Sequence, residues 1–181
     1  LSLALSLGFV RAAADDLPFD FEVLQYRAKA LASKPYAPAV SPVTEPLRRL
    51  TYDQYRDIRF NPARAWWGRD RAPFQLQFFH PGFIYDQTVQ ISEIIDGRAR
   101  PIPFSTDLFT YGPQTRLEGV PEDVGFTGFR IHNALNSPAY LDELAVFQGA
   151  SYFRALGRGM RYGLSARGLA LNSGEPGGEE F

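Results

Sequence analysis

Tyr152, Arg154 and Arg167 are the residues of this 181-residue chain whose types and spacing come nearest to a binding chemistry. Tyr152 and Arg154 are two apart, so an extended backbone sets a ring and a guanidinium on one face. With the same period, Arg161, Ser165 and Arg167 fall on one side of the next run, opposite Tyr162, Leu164, Ala166 and Ala170. Such a face suits a polar, uncharged ligand. Sugar rings present apolar C–H faces that stack on aromatic planes, while Arg bonds their hydroxyls. Trp67 is a further stacking candidate, because the side chains of Trp66 and Trp67 point different ways and at most one of the pair faces a given cleft. A structural role stands beside each of these. Tryptophans cover cores, and arginines pair with carboxylates across a sheet.

Other chemistries find less support. No Ser-His-Asp order, nucleophile elbow, phosphate loop or metal signature is present. Gly157-Arg158-Gly159 reads as a tight turn with no helix behind it, so it cannot cradle a phosphate. His80 and His132 are too few and too far apart for a metal motif, and the absence of cysteine removes disulfides and thiolate sites. No metal or cofactor is expected. Carboxylates such as Asp86, Asp107, Asp142 and Glu143 are plentiful, but each reads singly as solvated surface. No catalytic residue is assigned.

Strands must position the candidate face. From Pro73 onward the hydrophobic period is two: Phe74, Leu76 and Phe78 oppose Gln75 and Gln77; Val89 and Ile91 oppose Gln90 and Ser92; Phe129 and Ile131 oppose Arg130 and His132; Leu144 and Val146 oppose Ala145 and Phe147. Glycine or proline breaks at Pro81-Gly82, Asp96-Gly97, Gly112-Pro113, Gly125 and Gly149 come too often for crossover helices. The reading is a mainly antiparallel β-sandwich, incomplete because a sheet of this kind needs more strands to cover its second layer. One or two short helices precede it. Phe19 to Ser33 has helical spacing with Asp20 as cap and Phe19 placed to staple Leu24; Thr51 and Gln54 form a capping box, with Leu50 placed to staple Tyr55. Lys34 to Pro46, with four prolines, is expected to be extended, and Asn61-Pro62 is expected to turn.

Composition bounds the rest. With 45% hydrophobic residues the chain can build one sizeable core, and a net charge of −1 gives no reason to expect nucleic acid or an anionic membrane as partner. Leu1 to Val10 has the length of a signal-peptide apolar region, and Ala12 and Ala14 supply the small-x-small pattern for cleavage after Ala14. The expectation is an exported mature chain from residue 15, with a leader truncated at its start and no stable membrane insertion.

Five stretches together resemble the osmoregulated periplasmic glucan biosynthesis protein G/D family: LTYDQYRDIRF (Leu50 to Phe60), FQLQFFHPGFIYDQTVQI (Phe74 to Ile91), DLFTYG (Asp107 to Gly112), GFTGFRIHNALN (Gly125 to Asn136), and GASYFRALG with RYGLSARGLAL and GEEF (Gly149 to Phe181). The resemblance runs from Phe19 to Phe181. It implies a galactose mutarotase-like β-sandwich whose later strands, and a following immunoglobulin-like domain, lie outside this chain. It further implies a periplasmic location, a β-1,2-linked glucan as ligand, and a membrane glucan synthase as a possible partner. Some members resemble inverting endo-β-1,2-glucanases, with an aspartate general acid that falls beyond Phe181. Three readings follow: a glucan hydrolase when full length, a non-catalytic glucan-binding or scaffolding protein, and an unrelated lectin-like sandwich.

Overall fold

The computed structural model describes residues 17–180 apart from 71, 116, 118, 150, 169, 173 and 177–178. The expected leader and its cleavage site lie outside the described residues, as does Glu118. The chain forms two compact units, one of residues 17–37 and 92–102, the other of Pro38–Ile91 and the residues from Pro103 onward.

The smaller unit holds β1 (Leu17–Pro18), α1 (Phe21–Ala32), β4 (Ser92–Ile95) and β5 (Arg98–Pro101), with its three strands in the order β1-β5-β4. Asp20 caps α1 as expected, its Oδ1 accepting from the Val23 amide at 2.8 Å. α1 buries no side chain, so Phe21, Tyr26 and Leu31 remain exposed, and Phe19 lies under the Arg27 guanidinium at 5.8 Å. The strand expected around Val89 and Ile91 begins later, at Ser92. Val89 makes only an isolated bridge to Phe126. The break at Asp96-Gly97 is a tight hairpin turn between the partners Ile95 and Arg98. Both turn residues have left-handed φ, 50° and 70°, which matches the right-handed twist of the flanking strands.

In the larger unit, α2 (Glu45–Arg48) and α3 (Tyr52–Arg56) precede β2 (Ile58–Phe60), β3 (Gln75–Phe79), β6 (Phe109–Tyr111), β7 (Gly128–Asn133), β8 (Asp142–Gln148), β9 (Tyr152–Ala155), β10 (Leu164–Arg167), β11 (Ala170–Leu171) and β12 (Glu179–Glu180). α2 is an additional single turn: Pro46, expected to be extended, sits in its first turn, where a missing amide costs nothing. α3 carries the expected capping box, Thr51 Oγ1 accepting from Gln54 N and Gln54 Oε1 from Thr51 N. Asn61 turns the chain through its side chain, which accepts from the Ala63 amide.

All strand pairs are antiparallel, and the largest sheet runs β10-β9-β8-β7-β3. β2 pairs with β6 in a small second sheet that the sequence reading did not anticipate. The fold is mainly β, an incomplete sandwich as expected. Aromatic rings build its core: Phe78 stacks on Phe126 at 4.5 Å, and Phe60, Phe104 and Phe109 surround them at 5.3 to 6.4 Å. Phe109 belongs to this core. Against the same cluster lies buried His80. Its Nδ1 is 2.6 Å from the Pro81 carbonyl and therefore donates, while Nε2 accepts from the Tyr111 hydroxyl at 3.1 Å. Burial pulls the His80 pKa down to about 4 and pushes Tyr111 up to about 12.

Candidate functional site: the polar face of the five-stranded sheet

Register decides which side chains share a face, because directly opposed residues lie on the same side and neighbours along a strand alternate. Leu76, Phe78, Phe129, Ile131, Phe147, Phe153, Leu164 and Ala166 lie on one side. Phe129, Phe147 and Phe153 stack in a row at 5.1 and 6.2 Å. Gln75, Gln77, Arg130, His132, Glu143, Tyr152, Arg154, Ser165 and Arg167 lie on the other. The alternation expected for the last two strands is observed over Tyr152–Ala155 and Leu164–Arg167, while Arg161 and Tyr162 lie in the connecting loop and Ala170 in β11. The turn is not the tight one expected at Gly157-Arg158-Gly159: β9 ends at Ala155 and β10 starts at Leu164, so residues 156–163 form a longer loop. Asn136 holds that loop, its Oδ1 accepting from the Gly159 amide at 2.7 Å while Asp142 accepts from Asn136.

A chain of polar contacts crosses four strands of this face. Gln77 Oε1 accepts from Arg130 Nε at 3.1 Å and Nη2 at 2.7 Å. Arg130 Nη1 then donates to Glu143 Oε2 at 3.2 Å, and Arg154 Nη2 donates to Glu143 Oε1. At the β9–β10 edge, the Arg167 guanidinium lies 4.8 Å from the centre of the Tyr152 ring, and the Tyr152 hydroxyl is 3.3 Å from Ser165 Oγ. His132, opposite Glu143, has its pKa lowered, first by burial and then by Arg130, with Glu143 opposing. Its Nε2 has no hydrogen-bond partner among the described residues.

Tyr152, Arg154 and Arg167 are thus brought together, while Trp67 is not. Trp66 bridges to Leu76 and its ring meets Phe78 edge-on at 6.3 Å, beyond the β3 edge of the sheet. Trp67 follows with a left-handed φ of 62°. Four strand spacings, counting the Trp66 bridge beyond β3, separate this segment from β9, on the order of 20 Å. Sequence reasoning missed Gln77 and Glu143 as site residues, and it named Arg130 only as the polar alternate of Phe129. Among the described residues, no group of three His, Cys, Asp or Glu side chains could hold a metal ion, and no helix is long and apolar enough to cross a membrane.

Residues 19–181 match the family model described as "Periplasmic glucan biosynthesis protein, MdoG". The chain belongs to the periplasmic glucan biosynthesis family. Its relatives within that family include "Glucans biosynthesis protein G" of Ralstonia nicotianae, 48% identical over 100% of this chain and 36% of the relative. The protein of the same name from Vibrio cholerae is 47% identical over 90% of this chain and 30% of its own length. That of Bradyrhizobium diazoefficiens is 45% identical over 99% and 37%. The chain therefore spans about a third of the length of the curated relatives it matches.

Proposed function

We propose that the full-length protein works in the periplasm on osmoregulated glucans with a β-1,2-linked glucose backbone, and that the polar face of the five-stranded sheet binds the glucan. The observation that carries this is the gathering of two aromatic rings, Tyr152 and Phe79, and three guanidinium groups, Arg130, Arg154 and Arg167, on one continuous face of a glucan-biosynthesis family chain. Rings and forked donors are what a neutral sugar chain needs. Trp67, at the far edge, is a separate stacking position for a chain long enough to cross the sheet.

The activity proposed for the whole protein is inverting endo-β-1,2-glucan hydrolysis. An inverting enzyme needs an acid at the leaving oxygen and a base that activates water on the opposite sugar face. Glu143 accepts from two arginines, which fits a binding role, and the general acid belongs to the remainder of the protein. That same engagement favours the second reading, a binding or scaffolding protein that works with the membrane glucan synthase. Incubating purified full-length protein with linear β-1,2-glucan separates them. Shortened products of inverted anomeric configuration support hydrolysis, binding without cleavage supports the second reading, and neither binding nor cleavage rejects both.

A further inference from the structure

Two local features bear on one guanidinium, that of Arg154. Period two along β8 would set Glu143 on the side of Ala145 and Phe147. The register instead shifts between Ile131 and His132, which pair with Ala145 and Glu143, so Leu144 is bulged out and Glu143 turns to the arginine face. There its carboxylate accepts from both Arg130 and Arg154. Gly163, just before β10, is the second. A Cβ on it would stand 2.8 Å from Arg154 Cγ and 2.7 Å from the Ala155 carbonyl oxygen, so a side chain there would displace the arginine stem.

Magnitudes say what this arrangement is for. The Glu143 pairs keep side-chain exposures of 28 to 42%, and ion pairs so open to water add little to stability. Holding two long side chains in fixed positions before a ligand arrives, however, removes an ordering cost from binding. Arginine's planar fork loses least when so held.

Resting on the glucan reading of this face, we propose that Glu143 is a positioning residue, which keeps Arg154 and Arg130 aligned so that their remaining N–H groups meet the hydroxyls of a neutral glucan. The test is calorimetric titration of linear β-1,2-glucan oligosaccharide into the full-length protein, comparing wild type, Glu143→Ala, Glu143→Gln, Arg154→Ala and the Glu143→Ala/Arg154→Ala double variant. Glu143→Ala and Arg154→Ala should each bind about tenfold more weakly, and the double variant no more weakly than Arg154→Ala alone. Melting temperatures should stay within about 3 °C, since a merely structural role would move them and leave no coupling in affinity. Should Glu143→Ala fail to fold, Glu143→Gln keeps the shape and should lose affinity in the same coupled way. Wild-type affinity in the Glu143 variants while Arg154→Ala is weakened, or losses that simply add, would overturn the proposal. If Glu143 and Arg154 variants bind normally while Tyr152→Ala does not, the positioning idea fails and the glucan reading stands; if the wild type does not bind, the glucan reading itself fails.

Discussion

Arg167 and Tyr152 are direct cross-strand partners, and the guanidinium of the one lies 4.8 Å from the ring centre of the other. The stack is worth about 0.5 to 1 kcal/mol where water has access, and it makes the two side chains one unit at the β9–β10 edge. Removing either takes away the stacking contact of the other.

Tyr152→Ala and Arg167→Ala should therefore each weaken glucan binding by the full-length protein about tenfold, and the pair together little more than either alone. Titration calorimetry on the three variants checks this. Two independent, additive losses would mean that ring and guanidinium act separately.

Phe78 is 1% exposed and touches Phe60, Trp66 and Phe126. Phe78→Ala should cost about 3 to 5 kcal/mol in urea unfolding, because the ring leaves a cavity that strands on both sides cannot close. A cost under about 1 kcal/mol would place the core elsewhere.

Gly128, the first residue of β7, lies tight against β8. A Cβ there would be 2.1 Å from the Phe147 carbonyl oxygen, a backbone atom that cannot swing aside. Gly128→Ala should destabilise by about 3 kcal/mol or more, or leave no folded protein, as read by circular dichroism and solubility.

His80 makes stability depend on pH with a definite sign. Burial holds its folded pKa at about 4, against 6.5 for the free side chain. Between those values the unfolded chain takes up a proton that the folded one refuses, so stability falls as pH drops through that window and is unaffected by His80 above it. The effect amounts to about 3 kcal/mol at its limit. His132, also lowered, acts in the same direction. Denaturant unfolding at pH 7.5 and pH 4.5 should show a smaller drop for His80→Gln than for wild type, even though the variant starts less stable. Equal drops would contradict the burial.

Much of this was legible in sequence because it depended on local rules. Asp20, Thr51 with Gln54, and Asp96-Gly97 act where their side chains or backbone freedom say they should. The faces of β9 and β10 followed from period two alone. What stayed hidden came from pairing. Ile58–Phe60, only three residues long, becomes a strand by pairing with Phe109–Tyr111. Glu143 shares the period-two side of Phe147 in sequence and reaches the arginines only through a bulge that its partner strand fixes. Phe109 sits near a strand end like a surface aromatic, yet its ring closes the core with Phe60 and Phe104.

The central claim is that glucan lies along the polar face of the five-stranded sheet. A crystal structure of the full-length protein with a linear β-1,2-glucan oligosaccharide tests it most directly. The account predicts sugar hydroxyls within hydrogen-bond distance of Arg154 or Arg167 and a glucose ring against Tyr152. An oligosaccharide seated away from β7 to β10, with those three side chains unchanged by its arrival, would contradict it.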